Sequence, residues 1–314
     1  MSTLIEAKNL SRFYGTHCAV DDVSFTLAKG EILGFLGPNG AGKTTTMQML
    51  CGNLAPSTGQ IKINGYDLLD HPRHAKRCLG YLPDTPPLYK ELTVNEFLEY
   101  SARLHRLSFR EINKAVNAAK AHCNLNDVAE RLIVNLSKGY QQRVGIAQAI
   151  LHNPEIIVLD EPTVGLDPIQ IKEIRSLIKQ LGSDHGVILS THILSEVQES
   201  CSHVQIINQG KLIFKETISG LNQRMNMGII KIVTRKPIDL SAFSGINSIS
   251  SIEQIKNTHY LVHHNADNNP IEPIADIIVN SGWGLQELTP INKSIEDIFI
   301  SLTTETENKD KEPA

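Results

Sequence analysis

Apolar residues first gather in runs of strand length. Residues 20–27, 30–36 and 60–63 read as β-strands, the last closing on the turn pair Asn64-Gly65. The run Ile32-Leu33-Gly34-Phe35-Leu36 has no polar position, the pattern of a strand covered on both faces. In residues 44–54, Met47, Leu50, Cys51 and Leu54 recur at helical spacing. Residues 92–150 read as helices, the first opened by Thr93 as N-cap with Glu96 as its capping-box partner. Strand–helix alternation returns over 156–213, with buried-strand runs at 156–159 and 187–189. That order predicts an α/β fold with a mostly parallel sheet flanked by helices. After residue 222 the texture changes: strands at 229–234, 250–256 and 259–264, a helix at 271–280, a strand at 285–288 and an amphipathic helix at 294–302. These predict a small α+β domain over 222–303, and the charged stretch 304–314, which lacks core residues, predicts a disordered tail. No internal repeat is found.

Bulk properties narrow the classes. The 314 residues suffice for two domains, and a net charge of −4 with acids and bases nearly balanced gives no footprint for nucleic acid. The five cysteines have no C-x-x-C spacing, which predicts reduced thiols rather than a disulfide framework or a zinc site. The first residues lack a basic-then-apolar leader, and no run of 18 apolar residues is found to span a bilayer.

Chemistry enters at residues 37–44. Gly37, Pro38, Asn39, Gly40, Ala41, Gly42, Lys43 and Thr44 fit G-x-x-x-x-G-K-[ST], the phosphate-binding loop of nucleotide hydrolases. The glycines allow a tight loop whose N–H groups point inward at a polyphosphate. Lys43 supplies a cation for the β- and γ-phosphates, Thr44 offers a hydroxyl to Mg²⁺, and Thr45 follows them into a helix whose N-terminus favours anions. The preceding apolar strand and following helix complete a P-loop NTPase unit. Downstream, Leu159-Asp160-Glu161-Pro162 ends another buried strand with adjacent carboxylates that point in different directions. Asp160 is assigned to the metal and Glu161 to the attacking water. In Leu136-Ser137-Lys138-Gly139-Tyr140-Gln141-Gln142-Arg143, Ser137 is a natural N-cap and Gly139 permits close backbone approach, together an anion seat.

The order of these motifs resembles the ATP-binding cassette (ABC) ATPases over about residues 3–220. The resemblance implies a nucleotide-binding domain over 1–221 with a helical subdomain at about 85–150, and ATP and Mg²⁺ as ligands. It also implies roles for Tyr14 as the aromatic that stacks on adenine, His192 as the switch histidine near the γ-phosphate, and Gly165-Leu166-Asp167 as a loop touching a partner subunit. Where the family has Leu-Ser-Gly-Gly-Gln, this chain has Lys138 and Tyr140. Where the family carries a glutamine in the loop joining sheet and helices, this chain has Asp84, placed to contact Mg²⁺ directly or through water. These departures, with Pro-Thr-Val-Gly-Leu-Asp-Pro, look like the ATPase subunits of ABC-2-type exporters, including those of gliding motility and of multidrug or antibiotic export. Leu288-Thr289-Pro290 followed by Ser294-Ile295-Glu296-Asp297-Ile298-Phe299 resembles the C-terminal extension of drug-resistance members.

By this resemblance the chain is a catalytic subunit that pairs head to tail with a second copy or a related subunit. It would dock on an ABC-2-type transmembrane permease at the cytoplasmic face of the inner membrane, with no nucleic-acid partner. Rival readings are a soluble ABC ATPase acting on ribosomes or DNA, which usually carries two cassettes or a long coiled-coil insertion, and an importer ATPase, which usually keeps the loop glutamine.

Overall fold

The apolar runs become the centre of the molecule. A computed structural model describes residues 2–225, 228–264 and 269–291. In chain order the strands are β1 (Thr3–Tyr14), β2 (His17–Ala28), β3 (Ile32–Leu36), β4 (Thr58–Ile63), β5 (Tyr66–Asp67), β6 (Leu79–Leu82), β7 (Ile156–Asp160), β8 (Gly186–Thr191), β9 (His203–Asn208), β10 (Lys211–Thr217), β11 (Gly228–Thr234), β12 (Ile249–Lys256), β13 (His259–His264) and β14 (Leu285–Ile291). The helices are α1 (Lys43–Leu50), α2 (Pro72–Arg77), α3 (Val94–Leu104), α4 (Phe109–His122), α5 (Lys138–Ile150), α6 (Pro168–Leu181), α7 (Leu194–Ser200), α8 (Ile218–Met225) and α9 (Ile271–Asn280).

A six-stranded sheet in the order β10-β9-β3-β8-β7-β6 forms the frame, with β9, β3, β8, β7 and β6 parallel. Every residue of β3, β7 and β8 is buried, because the sheet is covered on both faces. Alternate side chains go to opposite cores. Leu33, Phe35, Val158 and Ile188 join Leu10, Val20 and Phe25, while Ile157, Leu159, Val187 and Leu189 join Val144, Ile146, Ile174 and Leu177 from the helices. Each such fully buried side chain contributes roughly 1.5–3 kcal/mol.

The first core is closed by a second sheet, β2-β1-β4-β5, which is antiparallel. The mostly parallel sheet expected from the sequence is present, and the early strands split between it and this antiparallel sheet. Two further expectations shift at their edges. The helix expected over 44–54 stops at Leu50, where Cys51 caps it and a turn follows. The strand expected over 285–288 continues to Ile291. The capping box forms as expected: Glu96 N donates to Thr93 Oγ1 at 3.2 Å and Thr93 N to Glu96 Oε2 at 2.8 Å.

The chain divides into two compact units between Glu216 and Thr217, and the boundary expected at residue 221 falls inside α8. Thr217 Oγ1 accepts from Gly220 N at 3.0 Å, a local cap that starts the helix. In the second unit the antiparallel sheet runs β12-β13-β11-β14. Its core holds Ile230, Ile232, Tyr260 and Val262 against Ile274 and Ile278 of α9. The order is that of a split β-α-β-β-α-β unit whose first helix has shrunk to the 3-10 turn Leu240–Phe243. The helix expected at 294–302 and the tail 304–314 lie outside the described residues. Among the described residues no helix is long and apolar enough to cross a membrane.

One half-buried histidine ties this fold to pH. His152 stacks on His105 with ring centroids 3.9 Å apart and donates from Nε2 to Leu79 O at 3.0 Å, which leaves Nδ1 buried without a partner. Burial, then the charge on His105, lower its pKa from 6.5 to about 4. The unfolded chain binds this proton first, so stability is lost as pH falls from 6.5 through about 4, by up to about 3 kcal/mol. His152→Gln should flatten that loss, read as the difference between urea midpoints above and below the window.

Candidate active site

Parallel strands bring their C-terminal ends to one edge, and the predicted site residues follow those ends. Leu36 pairs with Thr191, Asp160 with Ser190 and Leu82 with Leu159. The next residues along these strands, the loop from Gly37, Glu161, His192 and then Asp84, therefore emerge side by side. Glu161, His192 and Asp84 line a cavity of about 480 Å³ with Tyr14, Asn39, Gly40, Gly42, Lys43, Thr44 and Thr45.

The phosphate loop has the backbone its sequence requires. Gly42 sits at φ 104°, and a Cβ there would lie 2.5 Å from Ala19 O. Helix α1 starts directly after it with no side-chain cap and no acidic residue in its first turn. Its opening N–H groups thus face the cavity without an internal competitor for an anion. Lys43 is 5% exposed; its Nζ donates to Gly37 O at 2.7 Å and Pro38 O at 3.1 Å and lies 3.4 Å from Glu161 Oε1.

Glu161 holds the centre of the site. Its backbone takes φ 49°, a left-handed conformation costly for a residue with a Cβ, and its N–H donates to Ser190 O at 2.8 Å. Its other oxygen, Oε2, lies 2.9 Å from His192 Nδ1. A carboxylate only accepts, so His192 Nδ1 carries the proton in that contact. Lys43 and His192 thereby hold the two oxygens of one nearly buried carboxylate.

Asp160 lies beneath them with 0% exposure. Oδ1 accepts from Ser190 Oγ at 2.7 Å, whereas Oδ2 is buried with no hydrogen-bond partner. Burial raises its pKa, opposed in part by the hydroxyls of Ser190 and Thr44 and reinforced by the charges of Glu161 and Asp84. A buried, unpartnered carboxylate oxygen near Thr44 fits a hard cation such as Mg²⁺. No cluster of three or more His, Cys, Asp or Glu side chains forms a metal cage among the described residues. A cation here would therefore complete its shell with phosphate and water oxygens.

Gly37, Pro38 and Ala41 of the loop do not line the cavity, and three further residues named from the sequence lie away from it. Ser137 caps α5, accepting from Tyr140 N at 3.4 Å, and Gly139 lies buried in the first turn, but neither lines the cavity. Asp167 caps α6, accepting from Ile169 N at 3.0 Å and Gln170 N at 2.9 Å. Four groups escaped the sequence reading. His17, Ala19 and Val164 line the cavity, and Ser190 orients Asp160. Ser190 was signalled only by its place beside Thr191-His192 on a strand end.

Residues 20–164 match the family model described as ABC transporter. The chain is 34% identical over 311 residues to the bacitracin transport ATP-binding protein BcrA of Bacillus licheniformis, covering 96% of this chain and 98% of that protein. It is 33% identical over 253 residues to the linearmycin resistance ATP-binding protein LnrL of Bacillus subtilis, covering 80% of this chain and 81% of that one. A solved ATP-binding subunit of an ABC transporter superposes with a TM-score of 0.64 at 34% identity, covering 70% of this chain and 92% of that chain. A dimeric ATP-binding cassette bound to ADP and Pi after hydrolysis gives a TM-score of 0.62 at 25% identity, covering 68% and 99%. The class is thus a P-loop ATPase of the ATP-binding cassette type. The chain belongs to the ABC transporter family as an ATP-binding subunit, and ATP hydrolysis is its activity.

Proposed function

We propose that two copies of this chain close head to tail around two ATP molecules and drive a separate ABC-2-type permease that exports its substrate across the inner membrane. The observation that carries this reading is the incomplete cavity. Phosphate-loop residues, Glu161 and His192 line it together, while Ser137 and Gly139 of the same chain stand outside it. The anion seat of a second copy would cover the γ-phosphate. The names of relatives, bacitracin transport in one and linearmycin resistance in another, support export.

In this reading Tyr14 stacks on adenine and the loop N–H groups of residues 37–45 hold the phosphates. Lys43 shifts from Glu161 to the phosphates as they arrive. Glu161 then orients water at the γ-phosphorus and takes its proton, with His192 beside it. Asp160 and Thr44 would hold Mg²⁺, which when bound neutralises phosphate charge. Once the γ-phosphate leaves, the seat on the second copy has nothing to grip and the pair opens, moving the permease.

Membrane attachment tests the transport role. Co-expressed with its permease, the chain should sediment with membranes; without the permease it should stay in the supernatant. Equal partition in both cases would overturn the reading and favour a soluble role.

Asp84 adds a further expectation. It lines the same cavity as Thr44, and its charge reaches Asp160. Asp84→Gln should raise the Mg²⁺ concentration needed for half-maximal hydrolysis roughly 10-fold. An unchanged Mg²⁺ titration would remove Asp84 from the metal site.

A further inference from the structure

Below the cavity a second carboxylate is buried that takes no part in the chemistry above. Glu196, in α7, is 1% exposed. Its Oε1 accepts from Thr163 Oγ1, and its Oε2 accepts from Thr191 Oγ1 at 2.8 Å. Both threonines are buried, at 2% and 0% exposure. Thr163 follows Glu161-Pro162 at the end of β7, and Thr191 ends β8 directly before His192. One carboxylate therefore fastens the two segments that carry Glu161 and His192.

We infer that Glu196 is a positioning residue that sets the contact between Glu161 and His192 by clamping Thr163 to Thr191. The chemistry of the site favours a clamp over simple core filling. A buried carboxylate is costly to desolvate, and an apolar side chain would fill the same space more cheaply. Its two oxygens are instead met by two hydroxyl donors, one from each segment. Charge-assisted hydrogen bonds are short and directional, so they fix the separation of the loops more tightly than apolar packing does. Glu161 needs such support, since it sits at φ 49° with only Pro162 between it and Thr163. Thr191 Oγ1 also accepts from Ile193 N at 3.0 Å, which fixes the backbone on the far side of His192. The clamp thus brackets His192 from both sides and Glu161 from one.

This inference rests on the assignment of Glu161 as the residue that orients water. Displacing a reacting group by about 1 Å costs roughly 100-fold in rate without loosening substrate binding. In the full-length chain, Glu196→Ala should lower kcat for ATP roughly 100-fold. Thr163→Val, which exchanges one hydroxyl for a methyl, should lower it roughly 10-fold. In both, KM and the affinity for a fluorescent ATP analogue should stay within about two-fold of the parent chain. Glu196→Gln can still accept from one hydroxyl and donate to the other, so it should recover most of the rate.

Should Glu196→Ala fail to fold, Thr163→Val carries the same expectation with little change of shape. A folded, ATP-binding Thr163→Val chain with unchanged kcat would overturn the clamp. So would a fall in ATP affinity parallel to the fall in rate, the mark of a merely structural role. Glu161→Gln, assayed alongside, separates the two readings: full activity there removes the assignment of Glu161, whereas an inactive Glu161→Gln beside a normal Thr163→Val removes only the clamp.

Discussion

Glu161→Gln should slow ATP turnover at least ~100-fold and should accumulate an ATP-bound dimer. The amide has the volume of the carboxylate but cannot take a proton from water, so loss is expected at the chemical step and not in binding. Lys43 should bind ATP no less well in the variant, because its two carbonyl contacts at 2.7 and 3.1 Å remain while its attraction to Glu161, 3.4 Å away, disappears. The nucleotide is then held but not cleaved, and the seat at Ser137 and Gly139 of a second copy has a γ-phosphate to grip. Light scattering of Glu161→Gln at saturating ATP and Mg²⁺ should report a dimer that returns to monomer when ADP replaces ATP. A monomer at saturating ATP would sink the head-to-tail arrangement.

The parts of this protein that could be read from sequence are those whose chemistry is local. The phosphate loop was legible because its chemistry is contained in one run of residues between a strand and a helix. Asp160 and Glu161 were legible for the same reason, as polar residues ending an all-apolar strand. Thr93 and Glu96 announced their helix because a capping box is a purely local device. Tyr14 and His192 needed the resemblance, since neither side chain by itself implies a nucleotide.

What escaped depends on packing between distant segments. β1 was not anticipated as a strand: register shifts against β2 and β4 break its alternation of buried and exposed residues. Without it, the antiparallel sheet could not be told from the parallel one. Glu196 was missed because a glutamate in Leu194-Ser195-Glu196-Val197 reads as a solvated helix position. Only the fold shows that α7 turns it inward between Thr163 and Thr191.

Asp160→Asn should stabilise the nucleotide-free chain while abolishing most of its Mg²⁺-dependent activity. The native fold raises the pKa of Asp160 above 3.8, first through burial. The folded state therefore binds this proton more tightly than the unfolded chain. The sign follows: the group's contribution to stability falls as pH rises from about 3.8 through the raised native value, and at neutral pH the ionised carboxylate is a net cost. Oδ1 is satisfied by Ser190, whereas Oδ2 makes no hydrogen bond and the nearby Thr44 hydroxyl offsets the cost of burial only in part. Asparagine keeps an acceptor for Ser190 and replaces the unpartnered anionic oxygen with a neutral amide. Its melting temperature without nucleotide should rise by a few degrees at neutral pH. That gain should shrink in acid, as the parent carboxyl takes up its proton. The same change removes the anion suited to Mg²⁺, so hydrolysis should fall roughly 100-fold or more. The additional thermal stabilisation by Mg²⁺ with ATP over ATP alone should also vanish. The opposing results in one variant separate cause from effect. An Asn variant that melts lower than the parent at neutral pH would mean that the buried charge is already compensated. One that keeps the parent's Mg²⁺ dependence would move the metal off Asp160.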